Sequence, residues 1–254
     1  ESVIDMPIEE LSDYLESKHP KWSELCNSME RQLQRFSFLE HFKNGRLDLS
    51  HTTLMTSGHS TDTDDGIYHS IDGKNVFVEG ERGLDGRLPV LNDIDFSGES
   101  VLDVGCNTGL LSRHIADRGA LSVDGMEYSK EHALAGQMIN NSENYPNVYI
   151  QHKDIGEFPL EKQYDTTMLF SVIHHVQNME FALNQIASHC KRILIECRTK
   201  EEGYRFDKKW RKTNVWNFET LSELISYLEN RFGFKFSKDY GAVDRDRHIL
   251  EFTK

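Results

Sequence analysis

Short apolar runs alternate with amphipathic segments along the second half of this chain, and the pattern resolves into discrete elements. Periods of two and 3.6 residues predict strand 100–105, helix 109–118, strand 121–126, helix 130–140, strand 147–151, strand 164–170, helix 179–189 and strand 192–197. Strands spaced by helices imply a parallel sheet with right-handed crossovers. Leu221, Leu224, Ile225 and Leu228 make one more helical face. The runs 234–236 and 248–252, joined by a polar Gly/Asp loop, predict an antiparallel pair that closes the sheet. The fold class expected is α/β and Rossmann-like.

The first third reads differently. Ile8, Leu11 and Leu15 recur at helical spacing, as do Trp22, Leu25, Met29 and Leu33, which predicts a helical N-terminal extension. A stretch rich in Ser, Thr and Asp follows over 50–66 and reads as a loop. Its His51, His59 and Asp62 to Asp65 match no defined metal-ligand spacing, so a solvated loop is expected and no metal. Three regions result: an extension and loop over 1–66, a lid segment over 67–97, and a core domain over 98–254.

Composition narrows the class. The chain has 254 residues, enough for one full core with an extension, and its longest apolar runs fall far short of a membrane span. No basic segment leading into an apolar one opens the chain, so no secretory signal is read, and the start at Glu1 fits a segment of something longer. Cys26, Cys106, Cys190 and Cys197 are scattered without a CxxC pair, which favours reduced thiols in a cytoplasmic protein. A formal net charge of -13 disfavours nucleic acid, with Lys208-Lys209-Trp210-Arg211-Lys212 the one basic patch against that trend.

The chemistry concentrates at Val101-Leu102-Asp103-Val104-Gly105-Cys106-Asn107-Thr108-Gly109, where an apolar strand runs into a Gly-rich turn and a helix opens with Leu110. Glycines at 105 and 109 let the backbone approach a ligand closely, and the helix start offers free amides. The spacing is G-x-x-x-G, with Asn107 where a dinucleotide fingerprint has glycine, and Asp103 would repel a pyrophosphate. A cofactor bearing an ammonium fits better than a nicotinamide dinucleotide. Glu127, in Gly125-Met126-Glu127-Tyr128, lies about 20 residues past the turn, where an acid accepts hydrogen bonds from ribose hydroxyls. Asp154 and Ile155, after the third strand, are placed for an adenine amino group and its ring.

Together these residues resemble class I S-adenosylmethionine-dependent methyltransferases over roughly 98–197. The resemblance implies a seven-stranded, mostly parallel sheet with the last strand antiparallel, and S-adenosyl-L-methionine as cofactor. It places Asp103, Gly105, Cys106, Asn107, Gly109, Leu110, Glu127, Tyr128, Asp154, Ile155, Phe170 and Ser171 around that cofactor. The fourth strand leads into His174-His175, where an imidazole can take a proton from a hydroxyl nucleophile; the pair equally suits a purely structural role, capping or bonding backbone.

Two narrower similarities point to acceptors. Tyr68, His69, Arg82 and Arg87 precede the core much as a cofactor- and substrate-covering segment does in tRNA wobble-uridine carboxymethyltransferases. The chain departs from that family in having His174-His175 where a Tyr-His pair is usual, and in lacking its basic surface. The stretches around 171–175 and 193–202 are similar to the methyltransferase half of O-antigen chain-terminating enzymes. The leading expectation is therefore O-methylation of a small-molecule or glycan acceptor. An RNA-modifying methyltransferase and a catalytically silent binding domain stand as alternatives.

Overall fold

The computed structural model describes residues 42–43, 46–48, 70–78, 84–197, 199, 218–243 and 247–254. A seven-stranded sheet forms its centre. Its strands are β5 (Ser100–Val104), β6 (Ser122–Glu127), β7 (Val148–His152), β8 (Tyr164–Phe170), β9 (Cys190–Cys197), β10 (Lys235–Ala242) and β11 (His248–Thr253). Their spatial order is β10-β11-β9-β8-β5-β6-β7, and β11 runs antiparallel to both of its neighbours. Strands β5 to β9 pair in parallel.

Alternate residues along each strand supply two separate cores, as the period of a pleated strand requires. Leu102, Val104, Leu169, Ile193, Ile195, Leu250 and Phe252 face helices α4 (Met179–His189) and α5 (Leu221–Phe232) through Leu183, Ile186, Leu224 and Leu228. Val101, Met168, Phe170, Leu194 and Ile249 face the other way, onto Leu111 and Ile115 of α2 (Leu110–Asp117). The short helix α1 (Leu88–Asn92) joins that second layer, where Val90, Leu91, Ile94 and Phe96 are buried. The part of the expected lid over 84–97 is therefore a wall of the main core. Phe96 and Leu91 are wholly inaccessible.

Three glycines close up the third layer. The side chain of Ile150 on β7 lies 2.4 Å, 2.7 Å and 3.0 Å from where a Cβ would stand on Gly109, Gly136 and Gly125. Helix α3 (Lys130–Ser142), whose N-cap Ser129 accepts the His132 amide, can thereby lie close to the turn that opens α2. Any larger residue at 136 would drive α3 off the sheet.

A second, four-stranded sheet sits against α3. It is built from β1 (Phe42–Lys43), β2 (Arg46–Asp48), β3 (Ile71–Asp72) and β4 (Val76–Val78), in the order β1-β2-β4-β3. Residues 42–43 and 46–48, placed by the sequence in the extension over 1–66, are thus extended and paired with each other, and β2 also pairs with β4 beyond the extension. The helical faces expected between Ile8 and Leu33 lie outside the described residues. Ile71, Val76 and Val78 pack on Ala135 and Ile139 of α3. At the end of that helix the Glu143 carboxylate accepts the amides of Lys74, Asn75 and Val76 at 2.9, 2.7 and 2.7 Å. One side chain so satisfies most of the β3–β4 turn.

The remaining differences are modest. Strand β10 continues through Ala242, well past the expected 234–236, because a bulged register lets Asp239 pair with Leu250 and Ala242 with His248. No helix among the described residues is long and apolar enough to cross a membrane.

Glu143→Ala should release the hairpin from α3. We expect faster amide exchange at Lys74, Asn75 and Val76 and a loss of about 1–3 kcal/mol in denaturant unfolding. Unchanged protection at those three amides would show that the apolar contacts hold the hairpin unaided.

Candidate functional site

The parallel strands bring their carboxyl ends to one edge of the sheet, where open α/β folds bind ligands. β5 ends in the Gly-rich bend. Gly105 and Gly109 have φ of +70° and +75°, and Asn107 has φ of +52°, so three of five residues are left-handed. Glycine is required at 105 and 109 for that backbone and for the chain's own packing. A Cβ at 105 would stand 2.4 Å from the Val172 side chain, and one at 109 would meet Ile150. The chain's own packing already excludes a side chain at both positions, beside the close ligand approach expected from sequence. Asn107 tolerates its conformation because its Oδ1 accepts the Thr108 amide at 2.8 Å and its Nδ2 lies 3.2 Å from His132 Nδ1.

Glu127, the last residue of β6, holds the bend. Its Oε2 accepts the Asn107 amide and its Oε1 the Ser129 amide, both at 2.8 Å. An ionised carboxylate has about four acceptor sites, so two amides leave capacity for two further donors. Asp103 lies beneath the bend and accepts Ser112 Oγ at 2.6 Å. Burial pushes its carboxyl up to about 7, against the Ser112 bond, and the neighbouring charge of Glu127 adds to the rise. Burial, with Asp103 and Glu127 nearby, likewise raises the Cys106 thiol well above its ordinary range, so it stays protonated and inert. The Thr108 hydroxyl within the bend is buried and has no hydrogen-bond partner among the described residues.

The remaining residues of the expected site are spread along the same edge. Asp154 accepts the Gly156 amide at 2.7 Å after β7, and Ile155 is buried beside it. Leu110 is half-buried at the start of α2, whereas Tyr128 is 74% exposed. Phe170 closes β8, and Ser171 follows in a left-handed conformation with φ of +57°. His174 and His175 occupy a single 3-10 turn, Ile173–His175, with ring centroids 4.1 Å apart. His174 is buried and His175 exposed. Val172, between Ser171 and this turn, packs on Gly105, so the histidine turn and the Gly-rich bend are in direct contact.

Arg87 does not stand over the edge as a covering residue. It is buried, and its Nε and Nη2 donate to Glu196 at 2.5 and 3.0 Å. Glu196 also accepts Ser171 Oγ at 2.5 Å and Arg247 Nη1 at 3.1 Å. Burial works to raise the Glu196 carboxyl, but the bonds and charge of Arg87, with those of Ser171 and Arg247, outweigh it and hold it below its ordinary range. Glu196 and Arg247 escaped the sequence reading. The available signal was an acid continuing the apolar run Ile193-Leu194-Ile195, a position that a buried strand gives to a charge only if it is paired. Tyr68, His69, Arg82 and Lys208 to Lys212 lie outside the described residues.

Residues 79–234 match the methyltransferase domain family, more than half of the chain. The chain belongs to that family. A ubiquinone biosynthesis O-methyltransferase of Rickettsia bellii is 34% identical over 95 residues, which cover 36% of this chain and 38% of that protein. The chain spans about two-fifths of the length of the curated relatives it matches first. Among solved structures, the magnesium protoporphyrin IX methyltransferase of Synechocystis, determined with bound S-adenosylhomocysteine, superposes with a TM-score of 0.52 at 22% identity. That match covers 66% of this chain and 79% of the other. The bifunctional kinase-methyltransferase WbdD gives a TM-score of 0.56 at 19% identity over 74% of this chain and 44% of its own. The fold is that of the class I methyltransferases.

The raised Asp103 carboxyl yields a stability signature. A carboxyl whose folded value lies above its ordinary 3.8 favours the folded state most when protonated. That contribution is complete below about 4 and is lost as pH rises through about 7. Asp103→Asn should therefore raise the melting temperature of the ligand-free protein at pH 8 relative to wild type, by more than it does at pH 5. A difference between the two proteins that does not vary with pH would show that Asp103 does not carry this ionisation.

Proposed function

We propose that the chain is an S-adenosylmethionine-dependent methyltransferase that methylates an oxygen of a small-molecule or glycan acceptor. The observation that carries this reading is the meeting, at one sheet edge, of the Glu127-held bend and an exposed histidine on a turn packed against it. Bound S-adenosylmethionine would supply an electrophilic methyl group on a sulfonium.

The residues present suit such a cofactor. Glu127 keeps acceptor capacity beyond its two amides for a ribose diol, and Asp154 with Ile155 offers an acid and an apolar face for an adenine. Asp103 and Glu127 bring two carboxyls to a bend where an ammonium would relieve their mutual repulsion. The Thr108 hydroxyl, without a partner among the described residues, is one more polar group available there. Phe170 and Ser171 would border the methionine end.

His175 is the better placed of the pair to meet an acceptor, because His174 is buried behind it. Its imidazole would orient an acceptor hydroxyl and take its proton as the oxygen is alkylated. The net charge of -13 favours a small or glycan acceptor over RNA, whose backbone needs clustered cations. The curated relatives include ubiquinone biosynthesis O-methyltransferases and N-methyltransferases named for an alkaloid and for a nucleotide-linked amino sugar, which supports a small-molecule acceptor.

Titration calorimetry with S-adenosylhomocysteine tests the cofactor assignment. Wild type should bind, and Glu127→Ala should weaken binding by about 1–3 kcal/mol. An absence of heat at millimolar ligand would leave a silent, partner-binding domain as the better account. With an acceptor found by screening hydroxylated compounds against methyl-labelled cofactor, His175→Ala should lower turnover about a hundredfold, and cofactor affinity should hold. Full turnover in both His174→Ala and His175→Ala would remove the pair from the chemistry.

A further inference from the structure

We propose that Glu196 is a positioning residue that sets the histidine-bearing turn, acting through Ser171. The inference rests on the methyl-transfer reading only for what that turn does, and not for how it is held. Ser171 is not a glycine, yet its φ is +57°, a conformation that costs a side-chain-bearing residue roughly 1–2 kcal/mol. Something must hold it there. Its amide donates to the Glu196 carbonyl at 2.9 Å and its hydroxyl to Glu196 Oε1 at 2.5 Å, so one residue grips both ends of it. Arg247 Nη1 donates to the same hydroxyl and to the same carboxylate oxygen.

The carboxylate is wholly inaccessible and is kept ionised by Arg87 and Arg247, which come from helix α1's leading residue and from the start of β11. A position needed only for packing would be served by an aliphatic side chain, as at Ile193 and Ile195 on the same strand. A buried ion cluster is instead costly to assemble, and its return is in geometry. Among the described residues the buried Nε of Arg247 has no acceptor, while its Nη1 reaches the Ser171–Glu196 pair.

What the geometry controls lies immediately downstream. A turn about the Ser171 backbone swings Val172, whose side chain fills the space left by Gly105, and whose carbonyl accepts the His175 amide at 2.8 Å. The three residues from Ser171 to Ile173 thus connect a locked strand end to both imidazoles. Glu196 acts on the turn through Ser171.

Two variants and one spectroscopic readout decide the matter. Ser171→Gly removes the hydroxyl tether and suits the left-handed backbone, so the protein should stay folded with its melting temperature close to wild type. The imidazole carbon-bound proton resonances of His174 and His175, assigned by single substitution, should shift and broaden in this variant, and the other histidines should not. Glu196→Gln should give the same pair-specific change. Histidine resonances in folded Ser171→Gly that superimpose on wild type would overturn the proposal. So would changes in Glu196→Gln spread over all histidines, the mark of a merely structural ion pair. Wild-type protein that fails to bind S-adenosylhomocysteine would sink the methyl-transfer reading alone, because the histidine resonances are read without ligand.

Discussion

The open edge of the sheet depends on a carboxylate meeting two backbone amides. The bend after β5 is left-handed at three positions and cannot satisfy its own donors in a regular ladder, so the Asn107 amide turns to Glu127. The other oxygen of the same group takes the Ser129 amide, at the residue that caps α3. Bend, strand end and helix start are therefore fixed relative to one another through Glu127. The arrangement has an electrostatic cost, visible at Asp103, whose carboxyl is pushed up to about 7 by burial and by the charge of Glu127 beside it. Two acids gathered under one bend favour a cationic occupant over a phosphate.

The second half of the edge is organised around a different acid. Glu196 draws Arg87, Ser171 and Arg247 from three separate parts of the chain, and through Ser171 it governs the turn with the histidine pair. The two halves meet where Val172 occupies the space beside Gly105. A side chain at 105 would both strain the bend and displace the neighbouring turn, so this glycine serves two constraints at once. The geometry of the Gly-rich bend and that of the histidine turn are consequently not independent in this fold.

How much of this was visible in the sequence depends on the range of the interaction. The elements from 100 to 197 follow from hydrophobic periodicity, and their observed limits differ from the expected ones by a residue or two, because each strand and helix carries its own pattern. The bend and Glu127 were legible for the same reason, being set by local spacing. The small sheet over 42–78 was not, since strands of two or three residues contain too few alternations to register. Nor was the Glu196 cluster, whose partners are 109 and 51 residues away in the chain. The role of Arg87 was missed because a cation ahead of a ligand-binding core suits a lid as well as a buried ion pair. Only packing separates the two. The glycines of the bend were recognised, but what excludes their side chains, Val172 and Ile150, comes from β7 and the loop after β8.

Strand β11 lies between β9 and β10 and is antiparallel to both, so its six residues hydrogen-bond on two sides. A growing chain that has exposed everything up to residue 247 therefore has a five-strand sheet with an open flank at β9 and a β10 with nothing to join. Completion waits for His248–Thr253 to thread into that gap, and Arg247, which enters with it, reaches Glu196 only then. Assembly of the histidine turn is in this way tied to the insertion of β11, so a polypeptide whose sheet still lacks that strand would not present a set edge.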